Sequence, residues 1–216
     1  MSAKTETPKV ESDSTAQPEE YVSNQLAVKT WSVIARFLHE GGGIVTLHKA
    51  WDTRSPEFLV FPSYSGQDPD AMKPDVWMAW RHELKAPLGG HTYIRDYAEV
   101  VEAIPLQSSG ALKTLDPEHP LTQVEAVKRY ESGKPGLVAL VLRVYHLPSS
   151  YKFYNVAEKE GVSEVVPLPF DVDLENLKPA VSDSDFERRR AKILSSLGRV
   201  QLFLSESIRS EPSRLE

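Results

Sequence analysis

Positive charge set among apolar residues is the feature of this sequence with the largest chemical consequence. Lys49 closes the run Ile44-Val45-Thr46-Leu47-His48, and Tyr64 closes Phe58-Leu59-Val60-Phe61-Pro62-Ser63. Arg143 interrupts the longest apolar run, Leu137 to Leu142, just before Val144-Tyr145-His146-Leu147-Pro148. Arg129 follows a weakly helical segment. A guanidinium buried without a partner is costly, so Arg143 must meet a carboxylate, a group of carbonyls, solvent or an anionic ligand. An arginine and a lysine converging on one point suit a phosphate or a carboxylate. Lys49, Tyr64, Arg129 and Arg143 are therefore the candidate ligand-binding set. The competing account gives Arg143 an internal acid, Glu57 or Glu99.

Other constellations are weaker. Pro74-Asp75 followed by Glu83-Leu84-Lys85 spells a nuclease-like string, in which Asp75 and Glu83 would hold a divalent metal and Lys85 would orient water. A straight strand places the two carboxylates about 26 Å apart at ~3.3 Å per residue, and a helix about 12 Å apart along its axis at ~1.5 Å per residue. Only a tight turn near Trp77 to Trp80 would join them. The six histidines, His39, His48, His82, His91, His119 and His146, show no zincin or zinc-finger spacing. His82, His91 and Asp96 form one conceivable cluster across a loop, and His48 and His146, both in expected strands, one facing pair. Trp51, Trp77 and Trp80 near Arg54, Arg81 and Lys85 have the residue types that stack single-stranded bases, although core packing accounts for them as well. Arg188-Arg189-Arg190, flanked by acids, reads as a solvated helix face. No nucleophile elbow, P-loop or dinucleotide fingerprint is present.

Composition bounds these readings. Net charge is −6, which disfavours a generic nucleic-acid binder. With no cysteine, disulfides, thiolate metal sites and thiol nucleophiles are excluded. Residues 1–20 lack the apolar stretch of a signal peptide, and the longest apolar run is far shorter than the ~20 residues of a spanning helix. The expected protein is soluble and cytoplasmic.

The elements that must position these residues follow from periodicity. Residues 1–22 and 207–216 have the composition of disordered tails, leaving one α+β domain over 23–206. Ala27, Trp31, Ile34 and Leu38 make one stripe, which predicts a helix from Asn24 to Glu40 stopped by Gly41-Gly42-Gly43. Strands are expected at Ile44 to Lys49 and Glu57 to Phe61, paired as a hairpin. Val76 to Arg81 fits strand or helix. Further strands are expected at Tyr93 to Ala103, closed by Pro105, at Gly136 to His146, and at Gly161 to Leu168. Leu121 to Tyr130 is weakly helical. Ser184-Asp185-Phe186-Glu187 has capping-box spacing and opens a terminal helix to about Ser205. Without regular β-α-β alternation, a mixed or mostly antiparallel sheet between an N-terminal and a C-terminal helix fits best.

Four blocks resemble an uncharacterised family, domain of unknown function 1802. Val28-Lys29-Thr30-Trp31 resembles its Leu-Lys-Glu-Trp helix, and Leu47-His48-Lys49 part of its Leu-Leu-Arg-Lys-Gly-Gly-Ile stretch. Phe58-Leu59-Val60-Phe61-Pro62-Ser63-Tyr64 and Leu142-Arg143-Val144-Tyr145-His146-Leu147-Pro148 are similar to its Phe-Leu-Leu-Phe-Pro-Thr-Tyr and Arg-Val-Tyr-x-Leu-Pro blocks. The likeness spans roughly residues 26–170. Ala50-Trp51-Asp52 replaces the glycine pair, Gly66 stands where the family has histidine, and Gly161-Val162-Ser163-Glu164 is all that matches its Gly-Cys-x-Ser-Trp end. A family catalytic histidine or glycine phosphate loop would be lost here. The resemblance implies a fold and no activity. Together these readings point to a binding domain for an anionic ligand or a protein partner, with no cofactor and no membrane. A metal-dependent phosphodiesterase on Asp75, Glu83 and Lys85 is the alternative.

Overall fold

The computed structural model describes residues 23–51, 56–154 and 164–209, with side chains described as far as Gly198. The tails expected to be disordered, 1–22 and 207–216, lie outside the described residues except for 207–209, which continue the last helix. Among the described residues seven strands form one sheet, β1 (Ala27–Trp31), β2 (Val45–His48), β3 (Glu57–Ser63), β4 (His91–Leu106), β5 (Leu137–Tyr154), β6 (Val165–Val166) and β7 (Lys178–Pro179). Their order is β2-β5-β4-β3-β1-β6, with β7 beside β5. The β1–β3 pair is parallel and the others are antiparallel, so the sheet is mixed and the fold is α+β. Helices α1 (Ser32–His39), α2 (Pro74–Trp80), α3 (Ala111–Leu115), α4 (Gln123–Glu131) and α5 (Asp183–Arg209) cover it. Among the described residues no helix is long and apolar enough to cross a membrane.

The long first helix of the sequence reading is half strand. Ala27 packs with Leu59, Phe61 and Ile94, while Val28 packs with Phe58, Val60 and α1 residues Ala35 and Leu38. Alternate residues of β1 thus enter cores on opposite faces of the sheet. A strand covered on both sides loses the polar alternation that would identify it, and its apolar positions matched a helical stripe by coincidence. The hairpin is also absent. β2 joins the edge beside β5, and β3 pairs with β4 and β1 on the far side. β4 runs on through Pro105 to Leu106, and β5 extends to Tyr154.

Local signals at the helix ends worked better. Gly41 has φ of 66°, and the amides of Gly41 and Gly42 reach back to the carbonyls of Leu38 and Phe37 at 3.0 and 2.9 Å. That is a Schellman end for α1, and it needs a left-handed residue. Gly43 serves another purpose. A Cβ there would lie 2.2 Å from the Glu118 carbonyl oxygen, a backbone atom with no freedom to withdraw. Gly43→Ala should therefore lower the unfolding free energy by about 2–3 kcal/mol, measured as a shift of the urea midpoint at unchanged slope. The cap of α5 is Ser182 rather than Ser184, its hydroxyl oxygen accepting from the Asp185 amide at 3.3 Å. The basic triplet is only partly solvated. Arg189 donates to the carbonyls of Gly41 and Gly42, both at 2.9 Å, and so ties α5 to the end of α1.

Candidate functional site

The four cationic and phenolic residues do not converge. Lys49, at the end of β2, donates from Nζ to the carbonyls of Tyr130, Lys134 and Gly136 at 3.1 to 3.3 Å. It ties the last turn of α4 to the segment that follows, where the negative end of the helix dipole attracts a cation. Arg143 is 6% exposed on β5. Its guanidinium meets the Asp183 carboxylate, lies 3.4 Å from the Ser182 carbonyl and sits over Phe186 and Tyr145 at 4.8 and 5.7 Å. The internal acid is thus Asp183, from the start of α5. Glu57 and Glu99 accept instead from the hydroxyls of Tyr97 and Tyr145, at 2.6 and 3.1 Å.

Arg129 and Tyr64 line two separate cavities. The first, of about 210 Å³, lies between β1, β2 and the segment leading into α4, and includes Lys29, Trp31, Thr46, His48, His119 and Arg129. The Arg129 guanidinium lies 4.5 Å from the Trp31 ring centre, steadied by a 2.8 Å bond from Nε to Glu125. His48 Nε2 is 3.0 Å from the Thr46 hydroxyl. Burial, then the charge of Arg129, lowers the His48 pKa to about 4. His119 is 1% exposed, and burial followed by the charge of Lys73 lowers its pKa to about 4 as well. Neither of its ring nitrogens makes a hydrogen bond of ordinary geometry, the Leu121 backbone offering only a weak one. Both imidazoles are therefore neutral near pH 7, each with one donor and one acceptor.

The second cavity, of about 270 Å³, lies over α1 and the ends of β3 and β4, with Arg36, His39, Tyr64, Tyr93, Arg95 and Asp96 on its walls. Here the expected histidine pairings are corrected. His146 faces Asp96 across the β4–β5 ladder and lies 4.2 Å from His39 with the rings tilted by 50°, whereas His48 lies opposite Val138 on another edge. His82 sits 3.7 Å from Glu83, and His91 packs on Tyr93 and Tyr154, so neither is paired with Asp96.

The nuclease reading is not supported. Asp75 is exposed in the first turn of α2, and Glu83 lies in a separate 3-10 turn, Arg81–Leu84, entered through Trp80 at φ −127° and ψ 23°. Among the described residues, neither Asp75 nor Glu83 belongs to a cluster of three acidic or imidazole groups placed to hold an ion. Lys85 is exposed beyond that turn. Trp77 and Trp80 pack against the core of α1 and α2, and Trp80 meets Phe37 edge-on at 5.9 Å.

The family model described as Domain of unknown function (DUF1802) matches residues 27–192. The chain belongs to the DUF1802 family. No curated protein matches it. Two solved structures are similar to this DUF1802 domain. One is ASCH from Zymomonas mobilis, 9% identical, covering 79% of this chain and 94% of that chain with a TM-score of 0.42. The other is a single-site mutant of ASCH from the same organism, 10% identical, covering 56% of this chain and 70% of that chain with a TM-score of 0.38.

His119, Asp96 and the His39–His146 pair form no set that sequence spacing could reveal. His119 follows Glu118 in an irregular stretch, and Asp96 meets its partners only through strand register and the packing of α1. The single available signal was their residue type.

Proposed function

We propose that this DUF1802 domain binds a small anionic molecule in the cavity shared by Trp31, Thr46, His48, His119 and Arg129. The observation that carries the reading is His119, an imidazole shut away from solvent with no well-made hydrogen bond at either nitrogen, on the wall of a cavity that has room to spare. A buried polar atom left unpaired costs about 1–3 kcal/mol, which a ligand that both donates and accepts would recover. The volume holds roughly seven water-sized groups at ~30 Å³ each, so the ligand is small. Arg129 supplies the charge from a fixed position, its guanidinium already ordered on Trp31. Ile34, Val45 and Leu121 supply the apolar part of the wall. No step of chemistry on the ligand is required.

Inorganic phosphate and benzoate are suitable probes, followed by the ring resonances of His119 in the full chain. Saturable shifts with at least one of them are expected, with a Kd of millimolar or tighter, about −4 kcal/mol. Arg129→Gln should weaken that binding about tenfold and His119→Leu should abolish it, both with the urea midpoint retained. If neither probe gives a saturable shift up to about 50 mM, weaker than ~2 kcal/mol of binding, the proposal is wrong.

A further inference from the structure

His39, Asp96 and His146 bring two imidazoles and one carboxylate to a single point, away from the cavity of Arg129. Their positions come from three elements. Asp96 and His146 are opposite one another on β4 and β5, just beyond a register shift between Ile94 and Asp96. His39 is the last residue of α1, which lies across that face. His39 Nδ1 is 2.8 Å from Asp96 Oδ1 and 3.1 Å from Oδ2, and His146 Nδ1 is 2.9 Å from Oδ1. One ligand atom from each residue lies within 4.8 Å of the others. Asp96 is 5% exposed, and both imidazoles keep an edge in solvent at 26% and 31%. A carboxylate this deeply buried needs positive charge or strong donors around it.

We propose that His39, Asp96 and His146 are three ligands of a site for a divalent first-row transition metal ion, open on the cleft that holds Arg36, Tyr64 and Arg95. The nitrogen-to-oxygen edges of 2.8 and 2.9 Å are those of adjacent ligands at near-right angles. They subtend roughly 85–90° at an ion ~2.0–2.1 Å from each atom. That is the facial arrangement of two histidines and one carboxylate, with the remaining positions free for water or a bound oxygen donor. For that facial arrangement the two imidazole nitrogens, now within 4.8 Å of each other, need to close to about 3 Å, by rotation of the two partly exposed rings. Imidazole favours Fe(II), Co(II), Ni(II) or Zn(II) over Mg²⁺ and Ca²⁺, which take oxygen ligands. To bind the ion through Nδ1, each ring must carry its proton on Nε2 and present the Nδ1 lone pair. Two neutral imidazoles and one carboxylate leave the bound ion with one net positive charge.

The test uses the untagged full chain stripped with EDTA. Zn²⁺ titrated against a chromogenic chelator should show one site of micromolar Kd, and Co²⁺ should give visible absorption bands together with paramagnetic shifts of the His39 and His146 resonances. His39→Ala and His146→Ala should each weaken Zn²⁺ binding at least ~10–100-fold, the loss typical when a metal site is disturbed. Each variant leaves Asp96 one imidazole partner, so the metal-free melting temperature should fall by no more than a few degrees, and Zn²⁺ should raise the melting temperature of the wild type alone. His91→Ala, on the same strand as Asp96, should bind as the wild type does. No site tighter than about 100 µM, or a site that survives both alanine substitutions, overturns the proposal and leaves Asp96 as an acceptor for two imidazoles. His119→Leu should leave the metal titration unchanged, which keeps this result separate from the anion-binding test.

Discussion

Arg143→Ala should lower the unfolding free energy by about 3 kcal/mol, a fall in melting temperature of roughly 6–12 °C for a domain of this size. The side chain is 6% exposed and fills the space between Phe186, Tyr145 and the start of α5. Truncation removes the stem that packs there, two cation–π contacts and the charge partner of Asp183, and it loosens the docking of α5. Asp183→Ala should cost less than about 1 kcal/mol, because the Asp183 side chain is 92% exposed and Arg143 keeps the Ser182 carbonyl. Arg143→Met, which retains the stem, should fall between the two. Urea unfolding of the three variants ranks them. Wild-type stability in Arg143→Ala, with loss of phosphate or benzoate binding, would return Arg143 to the ligand site.

Acid should destabilise the protein through His48 and His119 before most carboxylates protonate. Both have pKa values lowered from 6.5 to about 4, chiefly by burial. In the unfolded chain each imidazole takes up a proton near its ordinary value, while the folded protein resists until about pH 4. The unfolded state therefore binds more protons throughout that window, and stability falls as pH falls from about 6.5 to about 4. Below that the two contributions are complete. A shift of this size corresponds to roughly 3 kcal/mol for each imidazole at ~1.4 kcal/mol per unit. Unfolding free energies at pH 7, 5.5 and 4.5 should show a clearly shallower acid slope for His119→Leu than for the wild type. Equal slopes would mean that His119 is already protonated, or solvated, in the native state. A saturating anion should also reduce the slope, since a negative charge beside His119 favours its protonated form.

Legibility in the sequence tracked the range of the interactions involved. Gly41 ending α1 and the long apolar β5 were readable because backbone conformation and periodicity are set within a few residues. The class, an α+β domain on a mixed sheet, followed from the order of such elements. β1 was misread because both of its faces are buried, which erases alternation. The hairpin of β2 with β3 was misplaced because adjacency in sequence is only a preference for adjacency in a sheet. The capping signal at Ser184 was right in kind and two residues late.

Site residues depended more heavily on context. The sequence required that a buried Arg143 have a partner, and it has one in Asp183, forty residues on, where α5 begins. It named Arg129 and Tyr64, which do line cavities, but different ones. It named Asp96 with His82 and His91, yet register and the end of α1 hand that carboxylate to His146 and His39.

By itself, then, the amino-acid order determined which groups are costly to bury, that α1 stops at Gly41, and that the charges of Arg143 and Lys49 had to be answered. Tertiary structure alone decided who answers them, because sheet order, ladder register and helix docking join residues tens of positions apart. It placed Asp183 against Arg143, carbonyls against Lys49, both histidines against Asp96, and left His119 at a cavity wall without a well-made bond.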